Sequence, residues 1–148
     1  MKISLPATLA VAVFLVLAAP LVALADGMLD ANTATEAQLD SLPNMSDELV
    51  AAVINNRPYL TIGELNKILS ASLDEEQREA LYGALFVPIK LNSAADSDML
   101  LIPGVGKRMA HEFEEYRPYT NIEQFRREIG KYVDAAEVAR LEQYVTLD

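Results

Sequence analysis

Six consecutive residues, Pro103, Gly104, Val105, Gly106, Lys107 and Arg108, carry the clearest capacity for chemistry in this chain. Two glycines around one apolar residue permit a tight bend with positive φ, which residues bearing a Cβ adopt only at a steric cost. A helix starting after such a bend points its first free amides outward, where they and the helix dipole can hold an anion. Lys107 and Arg108 sit where they can assist. The chemistry on offer is a grip on an anion.

Nothing nearby adds covalent or metal chemistry. His111 is the only histidine, and although His111-Glu112 opens like a zinc-protease helix, Glu115 stands where the second histidine is required. The carboxylate groups Glu112, Glu114, Glu115 and Asp74, Glu75, Glu76 lack the alternating oxygen ligands and turn glycine of a calcium loop. Both read as solvated helix faces. No serine or threonine has a histidine partner beyond His111, and no glycine-rich phosphate loop follows a strand, so the expectation is a non-enzymatic protein without cofactor or metal. There is no cysteine. Disulfides, iron–sulfur clusters and thiolate-bound metals are excluded, and stability must come from helix packing.

The elements that position the bend occur twice. Residues 29–88 align without a gap on residues 89–148 at a constant offset of about 60 residues. Asn32 falls on Asn92, Pro43 on Pro103, and Arg57, Pro58, Tyr59 on Arg117, Pro118, Tyr119. Such a period means one supersecondary unit used twice. The first copy lacks both bend glycines: Pro43, Asn44, Met45, Ser46, Asp47, Glu48 puts two carboxylates where a phosphate would sit. Like charges repel, so this bend reads as a structural turn.

Each copy predicts four short helices, making the fold all-α. Asn32 or Asn92 with Thr33 or Ser93 supplies side-chain acceptors for a first helix, and Glu36 or Asp96 suits its positive end. Pro43 and Pro103 end that helix. A second helix is expected over about Asp47 to Asn56 and about Lys107 to Tyr116, closed by the Arg-Pro-Tyr triplets. The third runs near Thr61 to Ser70 and Asn121 to Gly130. The fourth covers about Asp74 to Phe86 and Asp134 to Tyr144, with Asp74 and Asp134 as N-caps. Tyr59 and Tyr119 are expected to pack where the chain turns rather than stack on a base, and Arg57 and Arg117 to donate to the last carbonyls of the preceding helix.

The first 25 residues read as an export signal: Lys2, an apolar stretch from Leu9 to Leu24, and a small-x-small site at Ala23, Leu24, Ala25. The stretch is short for a span and Pro20 interrupts its end. The expected organisation is therefore 1–25 leader, 26–88 first copy and 89–148 second copy. The formal charge is -10. Residues 29–88 hold three basic residues (Arg57, Lys67, Arg78) against ten acidic ones, whereas 89–148 hold eight against eleven. So acidic a chain argues against phosphate neutralisation by the whole protein but leaves room for a local site in the second copy.

The run Leu101 to Ala110 resembles the helix-hairpin-helix motif, a helix, a Pro-Gly-hydrophobic-Gly turn and a second helix. Two families of exported proteins share that architecture. Leu91, Asn92 and the Pro103 to Gly106 turn resemble the ComEA-like periplasmic DNA receptors of competence, a likeness that implies sequence-independent contact with double-stranded DNA through the second hairpin. Asp30, Asn32, the glycine-poor Pro43 turn, Asn56, Pro58-Tyr59, Ile62, Glu64, Leu65, the Gln77 to Leu81 helix and the Leu141-Glu142-Gln143-Tyr144-Val145 end are similar to the photosystem II extrinsic protein U family. That likeness implies a lumenal or periplasmic structural subunit peripheral to the membrane, stabilising the oxygen-evolving complex, with no cofactor, no small-molecule substrate, no transmembrane segment in the mature chain and no DNA. Charge and the degenerate first hairpin favour the structural subunit. The alternative rests on the second hairpin with Lys107, Arg108, Arg126, Arg127 and Lys131.

Overall fold

A computed structural model describes residues 27–147, and the expected leader at 1–25 lies outside them. The described chain is mainly helical. Its order is β1 (Leu29–Asp30), α1 (Glu36–Asp40), α2 (Asp47–Asn55), α3 (Ile62–Leu69), α4 (Glu75–Tyr82) and β2 (Leu85–Phe86), then β3 (Ile89–Lys90), α5 (Asp96–Met99), α6 (Lys107–Glu115), α7 (Ile122–Ile129), α8 (Ala135–Glu142) and β4 (Val145–Thr146). Among the described residues no helix is long and apolar enough to cross a membrane.

The four strands are an addition to the all-α expectation. β1 pairs in parallel with β2, setting Leu29 against Leu85 and Asp30 against Phe86, and β3 pairs with β4, setting Ile89 against Val145 and Lys90 against Thr146. A parallel pair needs a long crossover, supplied here in each half by four helices. These strands shorten the fourth helices: α4 stops at Tyr82 and α8 at Glu142, and the residues expected to continue them turn back into β2 and β4.

Caps decide where the helices begin. Asp74 accepts the Gln77 amide at 2.9 Å and Asp134 the Glu137 amide at 2.9 Å, as N-caps should. The first helix differs from the sequence reading. Thr35, not Asn32 or Thr33, caps α1 and forms a reciprocal box with Gln38, while α5 begins after Ala95 without a side-chain cap. Asn32 and Asn92 are used elsewhere.

The buried side chains recur at the same spacing as the elements. Leu39, Leu42, Val53, Leu65, Leu69 and Leu81 in the first half correspond to Met99, Ile102, Phe113, Phe125, Ile129 and Leu141 in the second, and all are buried. Removing each from water contributes about 1.5–3 kcal/mol before entropy is counted. The two halves meet on aromatic rings: Phe86 lies edge-on to Tyr144 at 4.8 Å and to Tyr82 at 5.7 Å between centroids, and the Tyr144 hydroxyl donates to the Tyr82 carbonyl at 3.0 Å. Burial also pushes the Tyr82 phenol up to about 12. One continuous apolar cluster therefore runs through both halves.

Candidate functional site

The recurring Asn and Arg residues build the frame on which both hairpins hang. Asn32 donates through Nδ2 to the Tyr59 carbonyl at 3.0 Å and accepts the Tyr59 amide at 2.7 Å. Asn92 repeats both bonds with Tyr119, at 3.0 and 2.6 Å. This amide clamp binds the segment after each first strand to the turn after α2 or α6, 27 residues on. An N-cap could not do that work, which is why the asparagines are not caps.

The arginines reinforce the same closure. Arg57 donates to the carbonyls of Ala31 and Ala34, both at 2.7 Å, and Arg117 to those of Leu91 at 2.6 Å and Ala94 at 2.7 Å. The expected role at the end of the preceding helix is therefore corrected: a guanidinium fork reaches across to a loop whose carbonyls have no helix to satisfy them. Tyr59 and Tyr119 are buried beside it, and neither ring is accessible to a base. Tyr59 donates its hydroxyl to the Val53 carbonyl at 2.8 Å, whereas the Tyr119 hydroxyl has no hydrogen-bond partner among the described residues. The peptide bonds preceding Pro58 and Pro118 are both cis.

On this frame the two hairpins diverge. Gly104 takes φ 77°, and its first-half counterpart Asn44 takes φ 63°, so both bends use left-handed backbone. Asparagine is one of the few residues other than glycine that tolerates it, and Asn44 thus replaces glycine without changing the bend. The difference lies one step later. Ser46 caps α2 by accepting the Leu49 amide at 3.3 Å, with Asp47 and Glu48 exposed in the first turn. Gly106 caps α6 with no side chain, leaving the start of that helix uncovered beside exposed Lys107 and Arg108. Pro103 is half-buried and Val105 buried, which anchors the bend to the core.

The surroundings of the open hairpin are mixed in charge. A groove of about 410 Å³ between α4 and the Leu100 to Gly106 bend is lined by Glu75, Glu79 and Arg78. The other bases that sequence reasoning grouped with Lys107 and Arg108 are not brought to it as free charge. Arg126 forks onto Glu142 at 2.5 and 2.7 Å and reaches Glu123 at 3.4 Å. Arg127 pairs with Glu128 at 2.8 Å and Lys131 pairs with the same carboxylate; Arg140, outside that grouping, lies beside Gly104 but forks onto Glu137 at 2.7 Å. These partners hold the Glu128, Glu137 and Glu142 carboxyls below their ordinary range.

The histidine and the carboxylate groups take ordinary places, with one exception. His111 is exposed, 3.9 Å from Glu115 across one helical turn. Among the described residues no three His, Asp or Glu side chains gather around one point. Glu112, expected on a solvated face, is buried with one carboxylate oxygen unpaired. The sequence signal was present: Glu112 stands three residues after Met109 and four before Tyr116, both packed against the core, so it lies at the edge of the inward side of α6.

No protein-family model matches the chain, and neither the curated proteins nor the solved structures give a match. The functional reading therefore rests on residues and geometry.

Proposed function

We propose that the chain consists of two helix-hairpin-helix units and acts as a non-enzymatic, exported docking subunit on the lumenal or periplasmic face of a membrane protein complex, in the manner of the photosystem II extrinsic protein U family. One observation carries this reading: most of the basic side chains of the second half, five of eight, are engaged with carboxylates of the chain itself. Arg126, Arg127, Lys131 and Arg140 each hold a glutamate, and Ser46 with Asp47 and Glu48 closes the first hairpin to anions. At the bend a polyanion would meet Lys107 and Arg108 as the exposed bases without an ion pair among the described residues, with Arg78 set between Glu75 and Glu79 and Arg140, beside Gly104, held by Glu137. Two phosphate contacts give a salt slope of only about -1.8, far below that of a committed DNA binder. Docking by surface complementarity needs no such charge.

A second reading, sequence-independent binding of double-stranded DNA, is favoured by the uncapped start of α6 after Gly106. A gel shift with duplex DNA at low and moderate salt separates the two. The docking reading expects no shift at moderate salt and recovery of the chain with membranes, released by a salt or alkaline wash. A salt-sensitive shift that vanishes when Lys107 and Arg108 are replaced by Glu would overturn it.

A further inference from the structure

Where the two halves join, a groove of about 330 Å³ opens between the start of α3 and α5, walled by Leu60, Pro88, Ile89 and Ala94, with Lys90 at its rim and Asp98 lining it. Two features set it apart. Leu60 leaves 69% of its surface in solvent, the most exposed large apolar side chain among the described residues. Asp98 is only 8% exposed, yet its charge has no ion pair among the described residues; its one protein bond is from the Gly63 amide to Oδ1 at 3.2 Å. Neither feature follows from the shared architecture, because the corresponding residues of the other half are Thr120 and Gln38, the latter occupied in the α1 capping box.

Burying a carboxylate with one long hydrogen bond is unfavourable, and burial raises the Asp98 pKa, with the Gly63 amide opposing and the Glu64 charge adding to the rise. A cation brought into the groove reverses that imbalance. Lys90 lies exposed at the rim and forms no ion pair with Asp98. Arginine suits the space best: its planar fork donates two bonds to a carboxylate, and its aliphatic stem lies well against Leu60, Pro88 and Ala94. A net charge of -10 on this chain favours a basic partner over a second copy of itself.

We propose that this groove is a socket for an arginine side chain of a partner protein, with Asp98 as the charged anchor and Leu60 as the apolar edge. The proposal rests on the docking reading and gives it a surface. The test is an amide chemical-shift titration of the isolated chain with N-acetyl-arginine methylamide, against the neutral isostere N-acetyl-citrulline methylamide. Saturable shifts at Leu60, Gly63, Ser93 and Asp98 are expected from the arginine compound only. Asp98→Asn keeps an oxygen for the Gly63 amide and should fold, yet weaken the arginine compound by about tenfold or more. Equal shifts from citrulline, no saturable shifts at these amides, or unchanged affinity in Asp98→Asn overturns the proposal. Because neither membranes nor DNA are present, failure here leaves docking through another surface standing, and DNA binding would retire the docking reading without touching this result.

Discussion

Replacing Asn32 with alanine tests the frame directly. The substitution removes the bond from Nδ2 to the Tyr59 carbonyl and the acceptor of the Tyr59 amide, orphaning both backbone groups. Tyr59 and the adjacent Ala31 are buried, so neither group has free access to water. Each buried orphan costs about 1–3 kcal/mol. Asn32 itself is half-buried, so water that follows the truncation satisfies one group in part, and the net loss is about 3 kcal/mol. For an ordered stretch of this length that loss lowers Tm by about 10–15 °C. Thermal unfolding followed by far-UV circular dichroism measures it, with exposed Thr33→Ala as a control that should change stability by less than about 0.5 kcal/mol. If Asn32→Ala melts within about 2 °C of the parent chain, the clamp does not hold the fold and the account of the recurring asparagines is wrong.

Four further outcomes follow from the same geometry. Tyr144→Phe deletes the bond to the Tyr82 carbonyl and should cost about 1–2 kcal/mol in denaturant unfolding, with both halves still lost in one transition; two separated transitions would refute a shared core. Asn44→Gly should leave stability within a few tenths of a kcal/mol or raise it, while Asn44→Ala should cost about 1 kcal/mol, because only the latter penalises φ 63°. Glu128 has its pKa depressed by the Lys131 bond and by Arg127, so its stabilising effect is complete above the unfolded value near 4.5 and fades as pH falls through the lower folded value. Glu128→Gln should therefore flatten the acid limb of the stability profile, and an unchanged limb would count against the ion pairs. Ser46→Gly should expose the start of α2 and cost a few tenths of a kcal/mol without creating phosphate binding, because Asp47 and Glu48 remain; phosphate-dependent stabilisation of that variant would contradict the charge argument.

The helical class, the sixty-residue spacing of elements and the Asp74 and Asp134 caps were legible in the chain because they depend on local pattern: apolar periodicity, proline stops and short polar side chains before helices. The glycine bend at 104–106 was legible for the same reason. The sequence could also show that Ser46 replaces Gly106, since that difference is one of residue type. What local pattern could not supply was the partner of each long side chain. Asn32 resembles a cap until the Tyr59 backbone, 27 residues away, is brought against it. Arg57 resembles a helix-end donor until the Ala31 and Ala34 carbonyls turn toward it. Arg126 counts as a free positive charge until Glu142 arrives across α7 and α8. The strands were equally hidden, because two residues carry no periodicity and pairing joins the ends of a chain segment that only the packed helices bring together. Composition and local pattern determined that the protein is acidic, helical and free of cysteine; the fold alone decided which charges are neutralised and which two, Asp98 and Glu112, are left buried without an ion pair among the described residues, because electrostatic pairing depends on distances in space that sequence order does not encode.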